Sequence, residues 1–194
     1  MTADAMKAAL QMYLDEGRHA LLLKLEGLGE YDLRRPLTPT GTNLLGVVKH
    51  VATMEALYFG ACFGRPFPQA MPWIEDGAEP NADFWATPEE SSGDILRFYE
   101  AARAHSDATI AELDLGEMGT VSWWSVHQQP LGKIVVHMVA ETHRHVGHAD
   151  IVRESIDGAT GFLPGDDCLP AVDGGWWTTY RERLEEVARQ AAQN

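Results

Sequence analysis

Apolar residues recur along the chain at the three- and four-residue spacing of helices, and no stretch alternates in the manner of a strand. Met6, Leu10, Tyr13, Leu14, Leu21 and Leu25 place a first helix over residues 3–26, with Gly27 and Gly29 as its stop. A second is expected over 42–62, ending before "FGRPFPQAMPW", whose prolines cannot continue it. A long connection over 63–86, rich in proline and aromatic residues, follows. "TPEE" at 87–90 reads as a helix start, with Thr87 as N-cap, Pro88 in the first turn and Glu90 reaching back. That third helix extends to about 113, and residues 114–129, carrying "SWWSVHQQ", connect it to a fourth. Pro130 opens the fourth helix and Gly158 closes it.

Beyond Gly158 the pattern predicts a loop, then a last helix over roughly 176–192. Tyr180, Leu184, Val187 and Ala191 form one stripe on it, enough to dock against the bundle or a partner subunit. The expectation is an all-α protein. Residues 1–160 form a four-helix bundle with one long crossover, and residues 161–194 add a C-terminal loop and helix. Such bundles build metal sites from inward-facing side chains.

Composition narrows the function classes. Hydrophobic content of 45% and charged content of 23% are ordinary for a globular domain. A formal charge of −14 argues against nucleic acid and against an anionic membrane surface. The first residues lack the basic start and apolar run of a signal peptide, and no stretch is long enough to span a membrane. Cys62 and Cys168 make neither a disulfide framework nor a zinc motif, which fits a reducing cytoplasm.

The chemistry concentrates in the fourth helix. "HMVAETHRHVGHAD", residues 137–150, holds four of the chain's eight histidines. With about 100° of rotation per residue, His137, Glu141, His145 and His148 fall in one sector, beside the apolar face of Ile134, Met138, Ala149, Val152 and Ile156. His143 points away from that sector and is expected to face outward. Glu141 and His145 are four apart, where two side chains can grip one ion. A partner ligand is sought on the second helix, where His50 shares a face with Val47, Val51, Met54 and Leu57. A lone histidine on an apolar face is ordinarily a satisfied core residue. Several inward imidazoles and a carboxylate would each cost about 1–3 kcal/mol if left unpaired, and a divalent cation removes that cost.

"GTNLLGVVKHVATMEALYF" and "VHMVAETHRHVGHADIVRESIDG" together resemble the DinB-like superfamily of bacterial metal-binding bundles. The similar branch is the one related to mycothiol-dependent maleylpyruvate isomerase and the mycothiol S-transferases. The resemblance runs over roughly 5–160 and includes the "RRPLTPTGTNLLG" lead-in. It implies a four-helix bundle of atypical connection order holding zinc, or alternatively nickel. It implies His50, Glu141 and His145 as the ligands, with His148 beside them as a hydrogen-bonding neighbour. It further implies mycothiol, or bacillithiol in other relatives, as a co-substrate acting on a small electrophile.

Two imidazoles and one carboxylate on a divalent ion leave an open position, and such an ion lowers the pKa of a bound water or thiol toward neutrality. Metal-dependent S-transfer is therefore the leading expectation. A metal-dependent hydrolase is the alternative, as is a non-catalytic metal-binding or stress-associated bundle, and the protein could form a homodimer. No residue beyond the metal ligands is assigned a catalytic role. Trp73, Trp85, Trp123 and Trp124 either wall a pocket over the site or cap the core. Arg144 and Arg153 meet a substrate carboxylate or pair with Asp150 and Glu154 on the surface.

Overall fold

The computed structural model describes residues 2–193. Its long helices are α1 (Ala3–Leu23), α3 (Leu44–Phe59), α4 (Ser92–Glu112) and α5 (Leu131–Asp157), with a short α2 (Glu30–Arg34) after α1. A hairpin of β1 (Met118–Thr120) and β2 (Gln128–Pro130) precedes α5, and α6 (Gly174–Ala191) follows it. The all-α bundle is thus present, with α1, α3, α4 and α5 as its four members.

Paired residues give the helix directions. Gly17 meets His143 while Lys24 pairs with Asp150, so α1 and α5 run parallel. His50 meets Glu141 while Tyr58 meets His137, so α3 and α5 are antiparallel. The connection from 60 to 91 crosses back along the bundle, so α4 runs parallel to α3: Lys49 pairs with Glu90 and Gly60 lies beside His105. This is the long crossover expected from the prolines.

The core has two apolar clusters. Leu21, Leu45, Val48, Val51, Tyr99 and Val146 belong to one, and Leu14, Phe59, Ile110, Leu131, Ile134 and Met138 to the other. A buried ion network links α1, α3 and α4. Arg18, 1% exposed, donates through Nε to Glu55 Oε1 at 2.9 Å and through a terminal nitrogen to Asp107 at 2.7 Å. Glu55 is fully buried.

The crossover is pinned onto the first turns of α3. Asn43 caps α3 through its Oδ1, which accepts from the Gly46 N–H at 2.8 Å, and its Nδ2 donates to the Phe84 carbonyl at 3.1 Å. Gly46 permits this approach, because a Cβ there would stand 1.7 Å from the Phe84 oxygen. Lys49 donates to the Trp85 carbonyl and to Glu90, and its ammonium lies over the Trp73 ring at 4.2 Å.

Several expected boundaries move. The helix-start signal "TPEE" does not start α4. Glu90 does accept from the Thr87 N–H at 2.7 Å, but the N-cap lies further on, at Ser91, with a full capping box of Ser91 and Asp94. Glu90 is also drawn to Lys49. The second expected helix ends at Phe59, and Ala61–Phe63 form a 3-10 turn. The connection at 114–129 contains the small antiparallel hairpin, Met118 opposite Pro130, which the pattern did not predict. The last helix starts at Gly174, capped by Asp173, and has no buried residue; Leu184 and Val187 are 49% and 57% exposed.

Candidate metal centre

His50 projects from the middle of α3 and Glu141 and His145 from the middle of α5, so two antiparallel helices carry the three side chains. One ligand-capable atom from each lies within 4.8 Å of the others. His145 Nε2 stands 3.1 Å from Glu141 Oε1, and His50 Nε2 stands 3.6 Å from the same oxygen. Both imidazoles are buried, while Glu141 is half-buried. The sequence spacing and the fold therefore converge on one cluster.

A residue outside the sequence reading completes it. Asp83, in the 3-10 turn Ala82–Phe84, accepts from His50 Nδ1 at 2.7 Å. An Nδ1–H donated to Asp83 leaves the Nε2 lone pair facing Glu141 and His145. This carboxylate–histidine arrangement is the usual support of a ligating imidazole. Phe84 stacks on the His50 ring at 3.9 Å and fixes its plane. Two cues in the sequence bear on Asp83: it is acidic, and it lies among aromatics in the long crossover.

His148 is exposed, with its Nδ1 at 3.4 Å from His145 Nδ1. It therefore flanks the far nitrogen of His145 and does not join the three-residue cluster. His137 occupies the same sector one turn before Glu141, in edge contact with Tyr58 and Trp124 at 4.9 Å each.

The electrostatics favour ligating forms. Burial, then the neighbouring His50, lowers the His145 pKa below the ordinary histidine value, against the pull of Glu141. Burial alone would raise Glu141, but His145 and His50 bring its carboxyl below the ordinary glutamate value. Asp83 behaves likewise: burial raises it, and the bond to His50, the charge of that ring and Lys49 together bring it below the ordinary aspartate value. At neutral pH the cluster presents a neutral imidazole on His145 and an ionised carboxylate. Two imidazoles and a carboxylate with lone pairs converging on one point fit a divalent cation in both donor type and number.

His143 departs from the outward orientation expected of it. It does not face outward: its ring lies over Gly17 of α1, stacks toward Phe162 at 6.4 Å, and donates from Nδ1 to the Val139 carbonyl at 2.9 Å. The reason is that α1 covers that flank of α5. Arg153 pairs with Asp157 and donates to the carbonyls of Lys24 and Glu26, and Asp150 is taken by Lys24. The expected pairing of Arg153 with Asp150 or Glu154 does not occur. Arg144 is exposed.

The four tryptophans divide. Trp73 donates to Thr53 and packs edge-on against Phe98, so it closes the core. Trp85 lends its carbonyl to Lys49 and is partly exposed. Trp123 and Trp124 gather at Tyr58 beside His137, on the site side of α5. Cys62 is buried and its thiol is pushed up to about 11 by that burial. No helix among the described residues is long and apolar enough to cross a membrane.

A crossover-connected helical bundle with a His–Glu–His cluster between two antiparallel helices defines the class. The family model for mycothiol S-transferase matches residues 9–158, and the chain belongs to that family. No curated protein sequence matches it. Among solved structures it is similar to a conserved protein from Enterococcus faecalis, at 12% identity and a TM-score of 0.54. That alignment covers 81% of this chain and 98% of the other, and it shows a shared fold.

Proposed function

We propose that the protein is a divalent-metal-dependent thiol S-transferase that joins mycothiol, or a related low-molecular-weight thiol, to a small electrophile. The observation that carries this reading is the convergence of His50, Glu141 and His145 within a chain of the mycothiol S-transferase family. These three residues would hold the ion, zinc foremost and nickel as the second candidate. When bound, such an ion stabilises the thiolate over the thiol near neutral pH, where a free thiol of pKa about 8.5 is mostly protonated.

The chain's own residues then have separable tasks. Asp83 holds the Nδ1–H of His50, and Phe84 keeps the ring in plane. His148 lies against Nδ1 of His145 and steadies that imidazole. Half-buried Met54 and Leu57 follow His50 at helical spacing on α3. In the reaction the thiol sulfur forms a bond to the electrophilic carbon, the leaving group departs with its bonding pair, and the thiol proton passes to solvent. Neither protein cysteine is needed: Cys62 is buried and protonated, and Cys168 lies on the loop after α5.

In this reading the protein acts in the cytoplasm, where small thiols are reduced. The stripe of α6, exposed in the single chain, would be covered by the partner of a homodimer. The test is conjugation of mycothiol, with bacillithiol as comparison, to a panel of electrophiles in metal-loaded and chelated protein. The proposal expects turnover only with both metal and thiol, and no loss in the Cys62→Ser and Cys168→Ser variants. Ester or amide cleavage surviving complete removal of thiols would replace it with a hydrolase. Inactivity in both assays would leave a metal-binding bundle.

A further inference from the structure

The hairpin between α4 and α5 delivers an aromatic cluster to the same side of α5 as the metal triad. Tyr58, 5% exposed near the end of α3, accepts two indole N–H groups at its hydroxyl, from Trp123 at 3.2 Å and Trp124 at 3.0 Å. The two rings are in different situations. Trp124 is half-buried, with His137 against it edge-on at 4.9 Å and the Lys133 ammonium over it at 5.3 Å, so its surfaces are engaged. Trp123 meets Tyr58 at 5.3 Å with the planes inclined by 63°, and remains 51% exposed. It is an indole fixed by a hydrogen bond and left open.

Core packing explains Trp124, which joins the cluster around Phe59 and Met138. It does not explain why a second indole is tethered to the same hydroxyl with half its surface in water. Gly119 in the hairpin shows how closely this segment is set: a Cβ there would meet the Phe63 ring at 2.7 Å. Along α5, His137 to Glu141 is four residues, an advance of about 6 Å. The aromatic cluster and the triad are thus neighbours along one side of α5. Burial first, and the nearby Lys133, lower the His137 pKa below the ordinary histidine value, so the ring between the tryptophans and the triad is an uncharged imidazole at neutral pH.

We infer that Trp123 is a stacking platform for the electrophilic substrate, and that the substrate class is a flat, electron-poor aromatic ring whose reactive carbon reaches toward the triad. An indole face is electron-rich, so a ring depleted of electrons by nitro or similar groups is its best complement. The inference rests on the S-transferase reading and deepens it by naming the electrophile.

The test uses the full chain and two probes. Dinitrobenzene, which has no leaving group, is titrated into isotope-labelled, metal-free protein, and the indole N–H resonances are followed, with Trp123→Phe assigning the peak. The Trp123 resonance should move saturably, and Trp123→Ala should weaken binding about three- to tenfold, read at Trp124, the range an aromatic stack is worth. With metal and mycothiol, the ratio of kcat/KM for chlorodinitrobenzene to that for iodoacetamide should fall by a similar factor in Trp123→Ala. Trp123→Tyr should restore most of it. Saturable movement of Trp123 in a protein that transfers no thiol would keep the platform and remove the S-transferase reading. Thiol transfer with an unmoved Trp123, or with an unchanged ratio in Trp123→Ala, would overturn the platform and leave that reading intact. A large fall in Tm of Trp123→Ala would make the residue a packing element of the hairpin, and would overturn the inference as well.

Discussion

Two polar clusters share the interior of this bundle, and they are built on opposite rules. Around Arg18, one guanidinium faces Glu55, Asp107 and Asp15, and every close pair joins opposite charges. Burial works against the guanidinium and the carboxylates outweigh it, so Arg18 is held more firmly protonated than usual. Around Glu141 two imidazoles crowd one carboxylate, and His50 and His145 lie with ring centroids 4.7 Å apart. The first cluster is complete within the chain. The second converges donor atoms of three side chains, with Asp83 behind His50 and His148 behind His145. The saturated network serves as scaffold, and the second offers the donor set that the proposed divalent ion would use.

The contrast can be broken from either side. The largest effect is expected at the scaffold. Glu55→Ala leaves the Arg18 charge buried against only peripheral carboxylates and should cost about 3–5 kcal/mol, read in urea unfolding of the metal-free protein. A loss under about 1 kcal/mol would show that water reaches Arg18 and that the network is not closed.

Next comes the coupling between the crossover and the site. Gly46→Ala sets a methyl against the Phe84 carbonyl and should displace the turn that carries Asp83. The expected result is a stability loss of about 1–3 kcal/mol together with weaker metal binding. Asp83→Ala removes only the support of His50 and should weaken metal affinity about 10–100-fold with little change in unfolding of the metal-free chain. Equal affinity in Asp83→Ala and the parent protein would mean that Phe84 alone orients His50. His148→Ala should lie at or below the bottom of that range, because the contact to His145 is 3.4 Å long and open to solvent.

The smallest effect concerns pH. His145 has a folded pKa below the ordinary value, so the folded state resists its protonation. Its contribution to stability is present above the ordinary histidine pKa of about 6.5 and is lost as pH falls through the lowered value. Glu141, also lowered, loses its contribution further into acid. Scans of metal-free protein between neutral and mildly acid pH should show a steeper decline for the parent than for His145→Ala.

How much of this was legible beforehand follows the physics of each element. α5 and its stripe could be read because a 27-residue amphipathic helix repeats its signal many times. His50 could be read because its helix face is otherwise apolar. Asp83 could not, since it reaches His50 across 33 residues from an irregular turn that has no period to follow. The start of α4 was obscured by two capping signals in succession, and the contest was decided by Ser91–Asp94 in the sequence's own neighbourhood and by Lys49 from α3. The hairpin strands are three residues each, too short for alternation to register. For His143, a helical wheel gave the angle from the site correctly but not the identity of the neighbour covering that flank, which is α1.

The central claim is that the second cluster binds one divalent ion, and metal content measures it most directly. Protein purified without a histidine tag should carry about one divalent ion per chain by elemental analysis after dialysis. His145→Ala should carry almost none, and His143→Ala, altered on the α1 side of the same helix, should retain it. Metal retained in His145→Ala, or lost in His143→Ala but not in His145→Ala, would contradict the assignment of the site to His50, Glu141 and His145.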